Sequence, residues 1–218
     1  MTTLYLARHG QTEWNIQGRF QGHGDSPLTA LGLQQAAALA ERLKDITFEA
    51  IYASPAGRAS HTAQIVRGGR EITIVLDEAL REINLGPWEG LDNEQVRRAW
   101  PAELDAFWHA PHRYQPPQGG ESFAQLRDRV VPFMEALVAR HAKANVLVVT
   151  HATTLKTIMA HYEPRATQDL WKPPVMQPTS LSIVRVRDEK AIILTHGDSS
   201  HLGGDNAQWH WTGARKNG

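Results

Sequence analysis

Five side chains suited to binding and transferring an anionic group each follow a short apolar run in the sequence. They are Arg8, His9, Arg58, Glu82 and His151. In open α/β sheets, ligands bind beyond the carboxyl ends of the strands. If the apolar runs form parallel strands of one sheet, these five side chains meet at one edge of it. The sequence therefore predicts a single polar site that four distant segments supply.

A phosphoryl group is the ligand that fits this set of side chains. Fixed cations bind its charged oxygens, and arginine offers a planar fork that matches two of them. A neutral imidazole is a nucleophile near pH 7, and a second imidazole works better charged, as a hydrogen-bond donor. A glutamate beside a bound dianion would keep a proton, because like charges disfavour ionisation, and pass it to the leaving oxygen. We expect neither a metal nor another cofactor.

Other acidic and imidazole side chains offer alternatives to this site. Glu78 and Glu89 are near enough to Glu82 in sequence to replace it as the acid. His109 and His112 have a spacing that serves a metal on a helix, but no third ligand accompanies them. The same reasoning argues against metal binding by three imidazoles near the C-terminus: His196, His201 and His210.

Apolar runs and helical periodicity predict strands that alternate with helices. Strands are expected over residues 4–7, 48–53, 72–76, 145–150, 181–186 and 191–194, the last two joined by a turn at Asp188 and Glu189. Helices are expected over residues 28–43, 58–66, 93–100, 102–108, 122–142 and 152–161. Ser122 and Gln125 form a capping box, and Pro132 should kink or break its helix. The alternation predicts an α/β fold, a three-layer α/β/α sandwich with a mostly parallel sheet.

One domain over residues 1–202 accounts for this alternation, because half of a 218-residue chain would be small for a core of its own. Residues 86–120 interrupt the pattern with scattered aromatic side chains and prolines, which indicates a lid or insertion over the site. Residues 203–218 form a polar C-terminal tail. Trp209 and Trp211 argue that part of this tail packs against the domain.

Charge and composition exclude several classes of partner. Lys plus Arg and Asp plus Glu both number 23, so no global field attracts nucleic acid or an anionic membrane. We expect neither a signal peptide nor a membrane span. The chain has no cysteine, which excludes disulfides and fits a cytoplasmic protein. A small-molecule phosphoester is the expected partner, and a homo-oligomer is compatible with the sequence.

The site segments resemble, in order, the motifs of the histidine phosphatase superfamily, also called the phosphoglycerate mutase-like proteins. The resemblance covers residues 3–202 and is closest to the broad-specificity phosphatases of bacteria. The matching segments are residues 8–15 (RHGQTEWN, similar to the signature R-H-G-x-T-x-x-N), 18–22 (GRFQG), 25–29 (DSPLT), 54–59 (SPAGRA), 80–83 (LREI), 119–122 (GGES) and 148–151 (VVTH). Their shared order carries more weight than the short signature alone.

The resemblance implies a role for each site residue. His9 would be the phosphorylated nucleophile and Glu82 the proton donor. The phosphate pocket would consist of Arg8, Arg58 and His151. Further ligands of the phosphate or the substrate would be Asn15, Gln21, Gly22 and the backbone N–H of Ala152. Family members often carry Gly after the second histidine and an Arg further along. Ala152 and Lys156 stand here instead, so contacts to the rest of the substrate should differ.

The predicted activity is hydrolysis of small phosphomonoesters through a phosphohistidine on His9. The alternatives are a phosphoglycerate mutase-type phosphotransferase, a non-catalytic phosphate-binding module and a protein-phosphohistidine phosphatase. The family's cofactor-dependent mutases carry a larger insertion between the acid and the second histidine, so the compact segment here favours a phosphatase. Aryl phosphates, sugar phosphates, phosphoglycerates and nucleotides all remain as substrates.

Overall fold

A single twisted sheet with helices on both faces organises the chain. The computed structural model describes residues 1–188 and 190–203, and within them six strands pair in the order β3-β2-β4-β1-β5-β6. The strands are β1 (Thr2–Arg8), β2 (Ala50–Ala53), β3 (Ile74–Leu76), β4 (Asn145–Thr150), β5 (Leu181–Arg187) and β6 (Lys190–Asp198). The first four in this spatial order are parallel, and β5 and β6 are antiparallel. The prediction of a mostly parallel α/β sheet is confirmed.

The helices form the outer layers. They are α1 (Glu13–Ile16), α2 (Ala30–Arg42), α3 (Gly57–Arg67), α4 (Asn93–Ala99), α5 (Pro101–His109), α6 (Phe123–Arg140) and α7 (Ala152–Tyr162). No helix among the described residues is both long enough and apolar enough to cross a bilayer. Thr29 caps α2, because its hydroxyl accepts the Gly32 N–H at 2.9 Å. Helix α2 is therefore slightly shorter than the helix predicted over residues 28–43.

The central strand β4 shows why its sequence is a continuous apolar run. Val146 and Val148 pack with α6 and α7 on one face of the sheet. Leu147 and Val149 pack with α2 and α3 on the other. Successive side chains of a strand point to opposite faces, so a strand that is covered on both sides needs apolar residues throughout. The two clusters make the sandwich three layers thick.

Helix α6 departs from expectation at its middle. The predicted capping box is present, with the Ser122 N–H donating to Gln125 Oε1 at 2.8 Å. Of the kink or break expected at Pro132, the break does not occur, because α6 continues through the proline to Arg140. Buried α6 side chains on both sides of the proline, Val130 and Met134, belong to the same core cluster. Their packing holds the helix together where one backbone hydrogen bond is missing.

A third apolar cluster lies apart from the sheet faces, around the segment after β3. Trp88 is fully buried there, with its ring 5.7 Å from those of Phe107 and Tyr114. The other buried members are Phe20, Ile83, Leu85, Val96, Leu104, Phe123, Leu126 and Leu170. The aromatic side chains that the sequence scatters over residues 86–120 thus share one core. Of the expected tail, only Gly203 falls within the described residues, so Trp209, Trp211 and His210 lie outside them, as does Glu189.

Candidate active site

A cavity of about 410 Å³ opens at the carboxyl ends of β1 and β4. Eight of the nine predicted site residues line it: Arg8, His9, Asn15, Gln21, Gly22, Arg58, Glu82 and Ala152. The ninth, His151, is fully buried beside it, and its ring centroid lies 5.2 Å from that of His9. The structure therefore brings together the side chains that the sequence placed on four distant segments.

His9 follows β1 directly and is held through both its backbone and its ring. Its N–H donates to the Thr150 carbonyl at 3.0 Å, and its Nδ1 lies 2.7 Å from the Gly10 carbonyl oxygen. A carbonyl only accepts, so Nδ1 carries the hydrogen and Nε2 keeps a lone pair. Burial, followed by the charges of Arg58 and Arg8, holds the pKa of His9 well below its usual value of 6.5. His9 is thus neutral at pH 7, with one nitrogen suited to nucleophilic attack.

Arg58 lies in the first turn of α3 and is fixed by the loop between α1 and α2. Its Nη1 donates to the Gly24 carbonyl at 2.7 Å and to Asp25 Oδ1 at 2.8 Å, and its Nη2 donates to the Gly22 carbonyl at 2.8 Å. Its side chain is 1% exposed. Burial lowers the pKa of Arg58, and the Asp25 carboxylate opposes that effect. The guanidinium is therefore held in one orientation at the cavity wall.

Arg8, the last residue of β1, provides the second cation. Its Nη1 donates to the Met176 carbonyl at 2.8 Å. Burial lowers the pKa of Arg8 to about 10, against the opposing effect of Glu82, so the side chain stays protonated at pH 7. Two fixed cations on one wall give this neutral chain a local attraction for anions.

His151 precedes α7 and is enclosed on all sides. Its Nε2 lies 2.7 Å from Ser54 Oγ, and its Nδ1 has no hydrogen-bond partner among the described residues. Burial, followed by the charge of Arg58, the neighbouring His9 ring and the charge of Arg8, holds the pKa of His151 well below 6.5. The expectation that this second imidazole is charged is therefore not supported, because its surroundings favour the neutral form.

Glu82 reaches the N-terminus of α7, where backbone N–H groups lack intrahelical partners. Its Oε1 accepts from the N–H of Ile83 and of Thr154, and its Oε2 accepts from the N–H of Thr153, each at 3.0 Å. The Thr154 hydroxyl lies 3.1 Å from Oε1, but its one hydrogen goes to the Arg81 carbonyl at 2.7 Å. The three backbone donors fix the carboxylate in the cavity wall, at the same end as the arginines.

The two alternative acids occupy other places. Glu78 is exposed on the surface and pairs with Arg81. Glu89 accepts the backbone N–H groups of His23, Gly24 and Leu85, at 2.7, 2.8 and 3.1 Å. It therefore braces the loop whose carbonyls hold the Arg58 guanidinium. Neither carboxylate lines the cavity, whereas Glu82 does.

An arginine of α6 positions the backbone that carries Glu82. Arg129 donates to the Glu82 carbonyl at 2.9 Å and to the carbonyls of Ala79 and Arg81 at 2.8 and 3.0 Å. Glu121 in turn accepts from Arg129 at 2.7 Å. The segment 119–122 therefore contributes by holding the acid segment in place.

The further predicted ligands of the phosphate or the substrate line the cavity and also form hydrogen bonds within their own loop or stand at a helix start. Asn15 Oδ1 accepts the Thr12 N–H at 3.1 Å, and Gln21 Nε2 donates to the Thr12 hydroxyl at 2.9 Å. Gly22 has a φ of +53° and offers its carbonyl to the α3 arginine. Ala152 is the first residue of α7, so its N–H is among those without an intrahelical acceptor.

The rest of the cavity is mostly apolar. Its remaining walls come from Phe20, Leu85, Phe107, Trp108, Trp171, Val175 and Met176, with four polar side chains, Arg19, Thr153, Lys156 and Gln177. Lys156 lies one turn beyond Ala152 on α7, is 6% exposed, and donates from Nζ to the Lys172 carbonyl at 2.5 Å. Burial lowers its pKa to about 8. Lys156 thus adds a cation to the cavity wall, one helical turn from Ala152.

Among the described residues, no group of three or more His, Asp, Glu or Cys side chains is arranged so that it could hold a metal ion. His109 is exposed and contacts Asp105 at 2.8 Å. His196 contacts Glu163 at 3.1 Å.

Several site residues were missed by sequence reasoning. Ser54, Glu89 and Arg129 act on the site through other residues, and their contacts join segments far apart in the chain. Ser54 and Glu121 belong to segments that resemble the family's motifs. That resemblance indicates that they contribute to the site, but it does not reveal their contacts. Trp171 and residues 175–177 carried no motif.

Comparisons with known proteins agree with this geometry. A model of the histidine phosphatase superfamily (branch 1) matches residues 4–199. A metal-independent phosphoserine phosphatase of Arabidopsis thaliana is 36% identical over 206 residues, which are 93% of this chain and 84% of that protein. A 2,3-bisphosphoglycerate-dependent phosphoglycerate mutase of Cytophaga hutchinsonii is 33% identical, over 78% of this chain and 81% of that protein.

The solved structure of Bacillus stearothermophilus YhfR superposes with a TM-score of 0.91 and 46% identity, covering 93% of this chain and all of that one. The match of the family model, the identities and the shared fold lead to one conclusion. This chain belongs to the histidine phosphatase superfamily, branch 1.

Proposed function

We propose that this protein is a metal-independent phosphatase that hydrolyses small phosphomonoesters through a phosphohistidine on His9. The observation that carries the proposal is one cavity in which a neutral imidazole, with its lone pair on Nε2, lies beside two fixed guanidinium groups. Arg8 and Arg58 are placed to bind the phosphoryl oxygens. Glu82 lines the same cavity and is the proposed acid.

In the first step, Nε2 of His9 attacks phosphorus and a nitrogen–phosphorus bond forms as the bond to the leaving oxygen breaks. Glu82 carries a proton when the dianionic group is bound, and it gives this proton to the departing alkoxide. The Nδ1–H of His9 remains on the Gly10 carbonyl, which holds the ring in line.

In the second step, water attacks the phosphorus of phosphohistidine. Glu82, now a carboxylate, takes a proton from that water, the nitrogen–phosphorus bond breaks, and inorganic phosphate leaves. His9 returns to its neutral form. The two arginines neutralise the charge on the equatorial oxygens in both steps.

The substrates are proposed to be small phosphoesters with varied leaving groups. A cavity of about 410 Å³ admits a small metabolite, and its apolar walls contact a leaving group without demanding one pattern of hydrogen bonds. Phosphoserine is a natural first candidate, since a relative that is 36% identical is named as a phosphoserine phosphatase. Broad specificity is our default.

We further propose that residues 1–202 act as one domain, with residues 86–120 covering the site and 203–218 forming a polar tail. Phe107 and Trp108, both within the proposed cover, line the cavity. The absence of cysteine supports a cytoplasmic location, and homo-oligomer formation is open to measurement by light scattering.

The test is phosphate release from a panel of phosphomonoesters in the presence of EDTA. We expect turnover by the native protein and a loss of several orders of magnitude in His9→Ala, while His61→Ala, an exposed imidazole on α3, keeps full activity. Quenched reactions should contain a phosphoenzyme that is labile in acid and stable in base. Full activity in His9→Ala would remove the proposal.

The rival phosphotransferase is separated by the fate of the phosphoryl group. With 3-phosphoglycerate and bisphosphoglycerate, rapid interconversion of phosphoglycerates without free phosphate would mean a mutase. Tight phosphate binding without any turnover would mean a binding module. We expect free phosphate to accumulate.

A further inference from the structure

Ser54 and His151 form a pair at the ends of two neighbouring strands. The register of β2 and β4 sets Ala53 beside Val149, and the Ser54 N–H continues this ladder to the Val149 carbonyl at 3.0 Å. Ser54 Oγ then lies 2.7 Å from His151 Nε2. Both side chains are completely buried. The pairing of β2 with β4 therefore places the Ser54 hydroxyl in contact with the His151 ring.

The hydrogen positions in the pair follow from what each atom has to satisfy. Ser54 Oγ also lies 3.3 Å from the Ala56 N–H, from which it accepts. A hydroxyl has one hydrogen. If that hydrogen goes to His151 Nε2, the Ala56 N–H, the hydroxyl and Nε2 are all satisfied. If Nε2–H donated instead, the hydroxyl hydrogen would have no acceptor among the described residues. The first arrangement is favoured, so Nε2 accepts and the ring hydrogen sits on Nδ1.

The other nitrogen of the ring then becomes informative. His151 Nδ1 is buried and has no hydrogen-bond partner in the described part of the chain, which is rare for a buried polar atom. As Nδ1–H, it is a donor without an acceptor. The ring lies 5.2 Å from that of His9 and feels the charges of Arg58, Arg8 and Arg129. A phosphoryl oxygen bound between these groups would be its acceptor.

We propose that Ser54 is a positioning residue, whose hydroxyl fixes His151 in the Nδ1–H tautomer so that a neutral imidazole donates to the phosphoryl group. The proposal rests on the proposed function, since it assigns Ser54 to the same site. It explains how His151 serves the reaction without being protonated.

Loss of the Ser54 hydroxyl should make the activity depend on low pH. Without Ser54, the ring is free to carry its hydrogen on Nε2, which leaves a lone pair on Nδ1 toward the anion. Only the protonated ring would then donate. Burial and the cations that surround it (Arg58, Arg8 and Arg129), together with the ring of His9, disfavour that protonation. The variant would regain activity only as the pH falls.

The test compares Ser54→Ala with two other variants. Ser54→Thr keeps a hydroxyl at the same place. Ser182→Ala removes a buried hydroxyl of β5 that accepts the Gly197 N–H at 2.9 Å and makes no hydrogen bond to an imidazole of the described residues, so it measures the effect of losing a buried hydroxyl as such. Thermal unfolding of each variant shows that it is folded.

The activity arm uses p-nitrophenyl phosphate from pH 5 to 8.5. In Ser54→Ala we expect kcat/KM to fall about ten- to a hundredfold at pH 7.5, the range of a hydrogen bond to a charged group, with a smaller loss at pH 5.5. Ser54→Thr should recover most of the activity, and Ser182→Ala should keep the native pH profile. A native profile in folded Ser54→Ala would overturn the proposal.

The spectroscopic arm does not depend on turnover. Ring ¹⁵N shifts of His151, assigned with His151→Gln, should show a protonated Nδ1 in the native protein, and inorganic phosphate should shift that signal. Ser54→Ala should show the other tautomer or a mixture. If the native protein released no phosphate from any ester, the proposed function would fail, while these shifts would still decide the tautomer. A protonated Nε2 in the native protein would overturn the assignment to Ser54.

Discussion

Glu82 combines two demands that its contacts reconcile. As the proposed acid it has to carry a proton, yet three backbone N–H groups point at its oxygens. These donors suit the carboxylate that activates water in the second step. The dianion of the substrate favours the protonated form in the first. In the proposed mechanism, the Glu82 side chain therefore alternates between its protonated and ionised forms as the charge in front of it changes.

Replacement of this carboxylate should affect poor leaving groups most. In Glu82→Gln we expect kcat for alkyl phosphates such as phosphoserine to fall about 10²- to 10⁴-fold, the usual contribution of general acid–base catalysis. The first step with p-nitrophenyl phosphate should lose much less, because that leaving group needs no proton. Burst kinetics with both substrates check this. Equal losses in the first step would assign Glu82 to a structural role.

Lys156 should set a pH dependence that varies with the substrate. Its pKa of about 8 means that its charge is present below pH 8 and is lost as the pH rises through that value. If the carboxylate of phosphoserine lies near it, kcat/KM for phosphoserine should fall above pH 8 relative to phenyl phosphate, which has no carboxylate. The ratio of the two kcat/KM values between pH 6.5 and 9.5 measures the effect.

The variant Lys156→Gln keeps a donor for the Lys172 carbonyl and removes the charge. It should lower the ratio at neutral pH and make it independent of pH. A native ratio in this variant would show that Lys156 only anchors the chain around Lys172. Glu163 and Arg165, which act on the Lys156 pKa in opposite directions, remain in place in both proteins.

At the scale of residues, the sequence predicted the polar side chains that line the cavity and missed the residues that hold them in place. His9, Arg58 and Glu82 were found because each stands where a strand ends or within a recognised motif. Ser54 and Arg129 were not, because their contacts join a side chain to a residue about 50 to 100 positions away. Nothing in local spacing encodes such a contact.

Helix α2 and the loop after β1 meet backbone to backbone. A Cβ on Gly32 would lie 2.0 Å from the Gln11 carbonyl oxygen, and a Cβ on Gly10 would lie 2.5 Å from the Gly32 carbonyl oxygen. Only glycine at both positions allows this approach. The Gly10 carbonyl is also the acceptor that orients His9, so the packing of α2 fixes the nucleophile.

Gly32→Ala should therefore impair both stability and activity. The added methyl group meets backbone rather than a flexible side chain, and we expect a loss of about 1–3 kcal/mol in the free energy of unfolding, with kcat reduced as the Gly10 loop shifts. Gly69→Ala, where nothing lies within 4 Å of the new Cβ, is the control. Denaturant titration and steady-state kinetics give the two quantities. Unchanged values for Gly32→Ala would mean that α2 can move away freely.

The existence and type of the elements were predictable, and their ends were less so. The strand expected over residues 48–53 begins at Ala50, and the one expected over 72–76 begins at Ile74. Phe48 and Ile72 are apolar because they pack against a core cluster, without belonging to a strand. Apolar periodicity records burial, and burial extends beyond the paired residues.

Three apolar clusters make up the core of the described residues. Two lie against the faces of the sheet, and the third centres on Trp88. The sequence showed the first two through strand and helix periodicity. The third could not be read in advance, because its aromatic side chains come from short helices and loops whose contacts are not periodic.

Trp88→Ala should test how far the third cluster supports the fold. Trp88 is fully buried against Phe20, Phe107 and Tyr114, and we expect a loss of about 3–5 kcal/mol in the free energy of unfolding. Trp100, which is only partly buried against the same cluster, should cost less when changed to alanine. Denaturant titration followed by circular dichroism measures both. Equal losses would contradict the central place of Trp88.

Glu89 connects the third cluster to the loop that orients Arg58. It directly follows Trp88, yet its carboxylate fastens the backbone of His23 and Gly24, next to the carbonyls that orient Arg58. A hybrid protein that received residues 91–115 from a homologue would acquire new walls for the leaving group. It would keep Arg58 and the loop that orients it. A graft that began before Glu89 would replace this carboxylate together with the cavity walls, and the loop that orients Arg58 would lose its support.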